Sequence, residues 1–302
     1  MFLQQLINGL TLGSIYALVA LGYTMVYGIL LMINFAHSEI FMCGAYFGYF
    51  FYNIFSGINF LQKNLGILVL VVFSLTMLMT ALLGVCMERI AYKPLRHAPR
   101  LTALISAIGV SIFLQNLVML TISNQSIPYP EIFPVKKLTF YLAEINSLQI
   151  FIILFSIFLM FLLRLFIQYT RLGKAMRAVS QDRETAQLMG INVDLIISLT
   201  FFIGAGLGGA AGVLNGMYYG SIKYNMGFLP GIKAFTAAVL GGIGNVTGAM
   251  FGGYLLGICE AFGAGYIPGG AEWKDVFAFA ILILVLILKP SGILGQRLPE
   301  RV

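Results

Sequence analysis

Few residues in this chain of 302 have types and spacings suited to chemistry. Asn34, His37, Ser38 and Glu39 form a polar break in a long apolar run, and Glu260 is a single acid inside another. A charged side chain deep in a bilayer costs at least ~2.5 kcal/mol on insertion scales, so such a group faces a cavity or a partner. Two readings of the break stand. In one, its polar residues line a hydrated pathway. In the other they make a short cytoplasmic turn, with Asn34 capping the next helix and Glu39 well placed in its first turn. For Glu260 a buried structural partner is the stronger reading than a proton relay.

Catalytic constellations do not assemble. Gly204, Gly206 and Gly209 satisfy G-x-G-x-x-G, but the dinucleotide fingerprint needs a preceding strand and a downstream acid. Inside an apolar run these glycines read as a helix-packing face. No Walker A sequence is present, so ATP is not bound by that route. His97 sits in a basic loop, far in sequence from His37, and supports no Ser/His/Asp or Cys/His set. Cys43, Cys86 and Cys259 lie in apolar runs without metal-ligand spacing and read as small buried hydrophobes. The chain is expected to be no enzyme and to hold no cofactor or metal of its own.

The elements that position these residues follow from composition. The chain is 60% hydrophobic and 10% charged, with a mean hydropathy of +0.94. Soluble proteins carry about 25% charged residues, so only an all-α, polytopic membrane protein fits. Apolar runs of about 20 residues match helical spans, and the 34 glycines suit close helix packing. Outer-membrane barrels would show short alternating segments instead. The net charge of +7 collects in short loops, which is a topology signal and not one for nucleic acid.

A single transmembrane domain over 1–302 is expected, with about 8–9 membrane segments. Spans are read at about 6–33, 40–55, 65–87, 101–122, 148–167 and 195–216. Met1 to Gln5 has no basic n-region, so the first run is expected to remain as a span. Arg89, Lys93, Arg96 and Arg100 mark one loop as cytoplasmic, and Pro128, Pro130 and Pro134 mark an external one. Lys223 and Lys233 flank Gly227–Gly231, and 216–232 and 263–275 are both read as external. Between them the chain is expected to run in and back out as two arms meeting at Gly241–Gly248. A last span, 276–288, leads to Lys289, Pro290 and a tail with Arg297 and Arg301. The breaks at 34–39 and 241–248 suggest a weak internal repeat, with re-entrant or broken helices lining a transport path.

The polar island at 169–194 must lie in water. Within it, Ser180 is read as the cap of a short helix, 181–189, with Asp182 and Glu184 in its first turn and Gly190 as its stop. Thr185, Leu188 and Met189 fall on one face. Nine residues are too few to hold a helix in water alone, so this stripe needs a surface to dock on.

Glu184-Thr185-Ala186, three further residues and Gly190 resemble the E-A-A-x-x-x-G signature in the cytoplasmic loop of ABC importer permeases. Thr185 stands where alanine is usual, and the downstream I-x-L-P is absent. Asn34-Phe35-Ala36-His37-Ser38-Glu39 is similar to the N-F-A-H-G-E segment of branched-chain amino acid permeases of the LivH type, with Ser38 in place of glycine. The strings at 181–184 and 189–192, the Gly-Gly-Ile-Gly-Asn run at 241–245, the length and the basic tail are similar too, so the likeness spans essentially the whole chain. It implies a multi-pass permease of the prokaryotic inner membrane, surrounded by lipid. The permease would pair with a homologous permease subunit, two cytoplasmic ATPases that bind the ATP, and an extracytoplasmic solute-binding protein. Ser180, Asp182, Arg183, Glu184, Thr185, Ala186, Leu188, Met189 and Gly190 would couple it to an ATPase. Asn34, His37, Ser38 and Glu39, with Gly241, Gly242, Gly244 and Asn245, would line the path. Related permeases carry urea, amides or other amino acids, which is the alternative within the class. A proton-coupled secondary carrier using Glu39 or Glu260 is the rival outside it.

Overall fold

The computed structural model describes residues 1–295 apart from 33, 97, 133–134, 141–142, 271 and 290. His97, Pro134, Pro290 and the tail arginines Arg297 and Arg301 lie outside the described residues. The helices are α1 (Phe2–Leu30), α2 (His37–Phe55), α3 (Asn59–Lys63), α4 (Leu65–Met87) and α5 (Arg100–Thr121). A π-helical turn, Glu88–Tyr92, continues α4. Then come α6 (Ser147–Tyr169), α7 (Arg171–Gln181), α8 (Arg183–Leu188), α9 (Val193–Tyr219), α10 (Phe228–Gly241), α11 (Val246–Tyr266) and α12 (Lys274–Leu288). The short strands are β1 (Ile127–Pro128), β2 (Lys137–Phe140), β3 (Ala143–Asn146) and β4 (Ser221–Ile222), and β1 pairs with β4 and β2 with β3, antiparallel.

Among the described residues, 6 stretches are long and apolar enough to cross a membrane: Phe2–Leu30, Leu65–Leu95, Leu101–Thr121, Ser147–Tyr169, Val193–Tyr219 and Val246–Tyr266. α2, α10 and α12 are shorter apolar helices packed among them. The protein is therefore a polytopic helical membrane protein, as composition requires.

α1 and α9 form its centre. Their most apolar windows are 83% and 78% buried, against 28% for α5 and α6, which leaves the latter two largely on the periphery. Close approach at the centre depends on small residues. α1 carries Gly9 and Gly13, α11 carries Gly253 and Gly257, and both pairs have G-x-x-x-G spacing. A Cβ on Gly13 would lie 2.7 Å from the Tyr254 backbone, and one on Gly253 would lie 2.5 Å from that of Ala17. With no hydrophobic effect between helices in lipid, such backbone contact supplies the packing. Gly204 stacks on Gly22, and Gly209 fits against Thr80 and the α2 backbone at Gly44. The G-x-G-x-x-G string is a packing face.

The two ends of the bundle differ in charge. The Arg183 side chain bonds the Ile29 carbonyl at the end of α1, which places that end beside the polar island and the basic 88–96 segment. At the other end the Gln4 side chain accepts from the Glu144 backbone in the external hairpin. The basic end is the cytoplasmic one, so α1 runs inward with Phe2 outside. α10 and α11 then run in and back out, meeting at the Gly241–Gly248 turn as the two expected arms.

Gly257→Leu would push α1 and α11 apart. Overpacking costs about 1–3 kcal/mol, so the purified variant should melt several degrees below wild type in detergent. An unchanged melting temperature would show that the glycine contact is not required.

Candidate functional site

α1 is capped after Leu30 by Leu31, which adopts φ 55, and the chain then turns back into the protein. His37, the first residue of α2, lies against Gly22 of α1 and Gly208 of α9. Gly22 is eight residues before the end of α1 at Leu30, so α2 starts roughly 12 Å inside that end. The break is buried: Asn34 is 2% exposed, His37 1% and Glu39 0%. A surface turn does not fit this, and Asn34 does not cap α2, which begins after Ala36 without a side-chain cap. Asn34 instead accepts from the hydroxyl of Tyr92 in the π-helical turn. His37 stacks edge-on to Tyr23 at 4.9 Å.

Glu39 occupies the first turn of α2, where the helix dipole favours an acid. Its Oε1 accepts from Gln115 Nε2 at 2.8 Å and from Ser111 Oγ at 3.2 Å, both on α5. Ser38 Oγ lies 3.2 Å from the same oxygen and 2.7 Å from the Phe35 carbonyl, and has one proton to share between them. Oε2 is buried with no hydrogen-bond partner among the described residues. It lies against Gly227 at the start of α10, where a Cβ would be 3.0 Å away. The starts of α2 and α10 therefore meet at Ser38 and Glu39.

Beside this carboxylate is a cavity of ≈ 410 Å³. Its polar edge is Ser38, Ser111 and Gln115, and Ile108, Ile112, Ile232 and Phe228 form much of its apolar wall, with Tyr23 and Phe35 closing the rest. Ser111 and Gln115 were missed from sequence. Their signal was a polar pair at i, i+4 inside an apolar span.

Gly241, Gly242, Gly244 and Asn245 do not border this cavity. They make the turn between α10 and α11, with Gly242 at φ 104 and Gly244 at φ 92. Asn245 caps α11 by accepting from the Gly248 N–H at 3.1 Å, and donates to the Leu294 carbonyl at 2.8 Å. The 291–295 segment folds over the turn through Ile293 and Leu294. The buried helix start that faces the 34–39 break is at Gly227.

Lys233 is expected to flank the glycines at 227–231 beside an external stretch. It is a buried residue of α10, only 3% exposed. Its Nζ is 2.7 Å from Glu260 of α11 and 2.6 Å from Asp275 of α12, above the ring of Tyr16 in α1. Glu260 has the structural partner expected of it.

On the cytoplasmic face the polar island forms two helices. Thr170 caps α7 by accepting from the Gly173 N–H at 3.0 Å, and Gly173, Met176 and Val179 are its buried face. The sequence reading lacked this helix, although an apolar pattern at 172, 176 and 179 was present. Ser180 lies inside α7 and bonds the Arg177 carbonyl, so it does not cap the next helix. Asp182 does, accepting from the Glu184 and Thr185 N–H groups at 3.0 and 3.1 Å. α8 thus covers 183–188, shorter than the expected 181–189. Gly190, at φ 82, ends it in a Schellman motif, with Gly190 N–H to the Gln187 carbonyl and Ile191 N–H to that of Ala186.

Ala186 faces inward, Glu184 and Thr185 are exposed, and Leu188 and Met189 are 87% and 78% exposed. Arg183 ties α8 to the Ile29 carbonyl. On the far side of α8, Arg96 bridges buried Glu88 and Asp194 at the start of α9, and Lys93 reaches Asp194 at 3.0 Å. Ser198 completes the set by donating to Glu88 at 2.8 Å. An apolar-tipped helix is thereby tied to the end of α1 and followed by a start of α9 that is fixed by ion pairs.

The profile of the family described as branched-chain amino acid transport system, permease component, matches residues 5–286. The high-affinity branched-chain amino acid transport system permease protein BraD of Pseudomonas aeruginosa is 49% identical, covering 100% of this chain and 98% of that protein. The permease protein LivH of the corresponding Escherichia coli system is 47% identical over the same shares. A protein of Methanocaldococcus jannaschii described as "Probable branched-chain amino acid transport permease protein LivM" is 28% identical over 48% of this chain and 46% of its own length.

Removing one member of a buried ion pair costs about 3–5 kcal/mol. Lys233→Met, which leaves Glu260 uncompensated, should therefore lower the melting temperature of the purified protein sharply. Adding Glu260→Leu should recover much of the loss. Equal melting of all three proteins would show that the cluster does not hold α10, α11 and α12 together.

Proposed function

This chain belongs to the branched-chain amino acid transport permease family, and we propose that it is the membrane-spanning subunit of an ABC importer for leucine, isoleucine and valine. The single observation carrying this reading is the 49% identity with a permease of that name over 100% of the chain. The partners proposed are a homologous permease, two ATPases on the cytoplasmic face and a solute-binding protein outside, in the inner membrane of a prokaryote. The M. jannaschii LivM likeness supports a second, related permease as the membrane partner.

In this reading ATP is bound and hydrolysed by the partners, and this chain converts their movement into access. The exposed tip of α8, Leu188 and Met189, seats in a groove of one ATPase. When the ATPases close, α8 moves with them. Arg183 passes that movement to the end of α1, and the Arg96 clamp passes it to α9. Those two helices are the centre of the bundle, so the spans around them rock and the solute crosses beside the partner permease. The proton-coupled rival loses one of its two acids, because Glu260 is held by Lys233.

Leu188→Asp and Gly190→Pro should abolish ATP-driven leucine uptake in proteoliposomes containing all subunits, while membrane insertion stays normal. Uptake by the intact assembly should be vanadate-sensitive and survive a protonophore. Normal uptake in both variants would remove the coupling role of α8, and uptake without any ATPase would favour the rival.

A further inference from the structure

The cavity beside Glu39 has an unusual polarity that follows from its hydrogen bonds. A carboxylate oxygen only accepts, so Gln115 must present its NH₂ to Glu39 and Ser111 must present its hydroxyl proton. The single proton of Ser38 goes to the Phe35 carbonyl or to Glu39. With one Gln115 N–H and the Ser111 proton spent on Glu39 and the Ser38 proton spent beside them, the three side chains offer the Gln115 carbonyl and two hydroxyl oxygens as acceptors and keep one Gln115 N–H as their remaining donor. Behind them, Glu39 is fully buried and its Oε2 has no partner among the described residues. An edge with more acceptors than donors, backed by a buried carboxylate, suits a ligand group that donates hydrogen bonds and carries positive charge, and the remaining Gln115 N–H leaves one donor for an acceptor on the same ligand.

The rest of the cavity sets the remainder of the ligand. Ile108, Ile112, Ile232 and Phe228 offer branched and aromatic surface, and among the described residues no basic side chain borders it. A volume of ≈ 410 Å³ falls within the roughly 300–1,000 Å³ of small-molecule sites. We propose that this cavity is a membrane subsite for the transported amino acid: Ser38, Ser111 and Gln115 receive its α-ammonium group, and the isoleucine wall holds its branched side chain. Glu39 is the positioning residue that turns those acceptors outward and supplies the counter-charge. The inference rests on the reading of this chain as a branched-chain amino acid permease.

Photo-leucine, which carries a diazirine in its side chain, tests the assignment. The complete transporter, with its partner permease, ATPases and binding protein, is reconstituted, supplied with the probe, trapped with vanadate and irradiated. Adducts are then mapped by mass spectrometry. Wild type should be labelled within 108–115 or 228–232, with excess leucine protecting. Gln115→Leu removes an acceptor and a charge-assisted bond, and should cut that labelling roughly tenfold while labelling of the binding protein itself is unchanged. Ile112→Trp, on the half-exposed side of α5, should fill the cavity and abolish the adducts. Wild-type adducts confined to other segments, or undiminished labelling in Gln115→Leu, would overturn the subsite. The wild-type map decides even where a variant fails to assemble. ATP-driven uptake of leucine by the same vesicles separates the two levels. Uptake with adducts elsewhere removes the subsite alone, and absence of leucine uptake removes both it and the permease reading.

Discussion

Inside a bilayer a polar group that leaves water must find its partners within the protein, and this chain meets that requirement most severely at the start of α2. There the backbone re-enters the bundle with Asn34, His37 and Glu39 buried. The partners come from separate elements: Tyr92 from the π-helical turn, and Ser111 and Gln115 from α5. α5 is otherwise a peripheral helix, and these bonds fix its face toward the centre. The arrangement also explains why the break and the cytoplasmic face act on one element. Arg183 grips the Ile29 carbonyl, the last turn of α1, and a few residues later the same chain begins α2.

Two buried acids in this protein are treated differently. Glu260 is neutralised by Lys233, which Asp275 also contacts. A buried pair of this kind adds little net stability beyond an apolar replacement, but removing one member is costly. It therefore fixes how α1, α10, α11 and α12 sit together. Glu39 has hydrogen bonds and, among the described residues, no cation. A carboxylate left in that state inside a membrane protein is costly to keep, which is the physical reason to look for a function in it. The cytoplasmic end uses charge in a third way. Glu88, Arg96 and Asp194 tie the loop after α4 to α9, so α8 stands on a fixed base and exposes its apolar tip.

Local chemistry was legible where it decided the outcome alone. Gly190 had to end a helix, because a residue at positive φ suits glycine, and an apolar stripe of a few residues had to be exposed or docked. The cap was misassigned because Ser180 and Asp182 are both good cap residues. The choice between them depended on α7, whose apolar face needs the bundle surface to fold against. Lys233 was misplaced for a similar reason. Charge next to glycines reads as loop, and its two acid partners come from helices 27 and 42 residues further along.

The sequence by itself determined a helical, polytopic membrane protein, the bias of its charge to short loops and the family to which it belongs. These depend on hydropathy, charge bias and short strings, all local quantities. Tertiary structure alone decided that the 34–39 break is buried while the 241–245 glycines are a capped turn. It also decided that Ser111 and Gln115 complete the site around Glu39. The physical reason is that the role of a polar residue inside a bundle depends on which helix faces it. Helix facing is fixed by glycine contacts and hydrogen bonds between segments far apart in the chain.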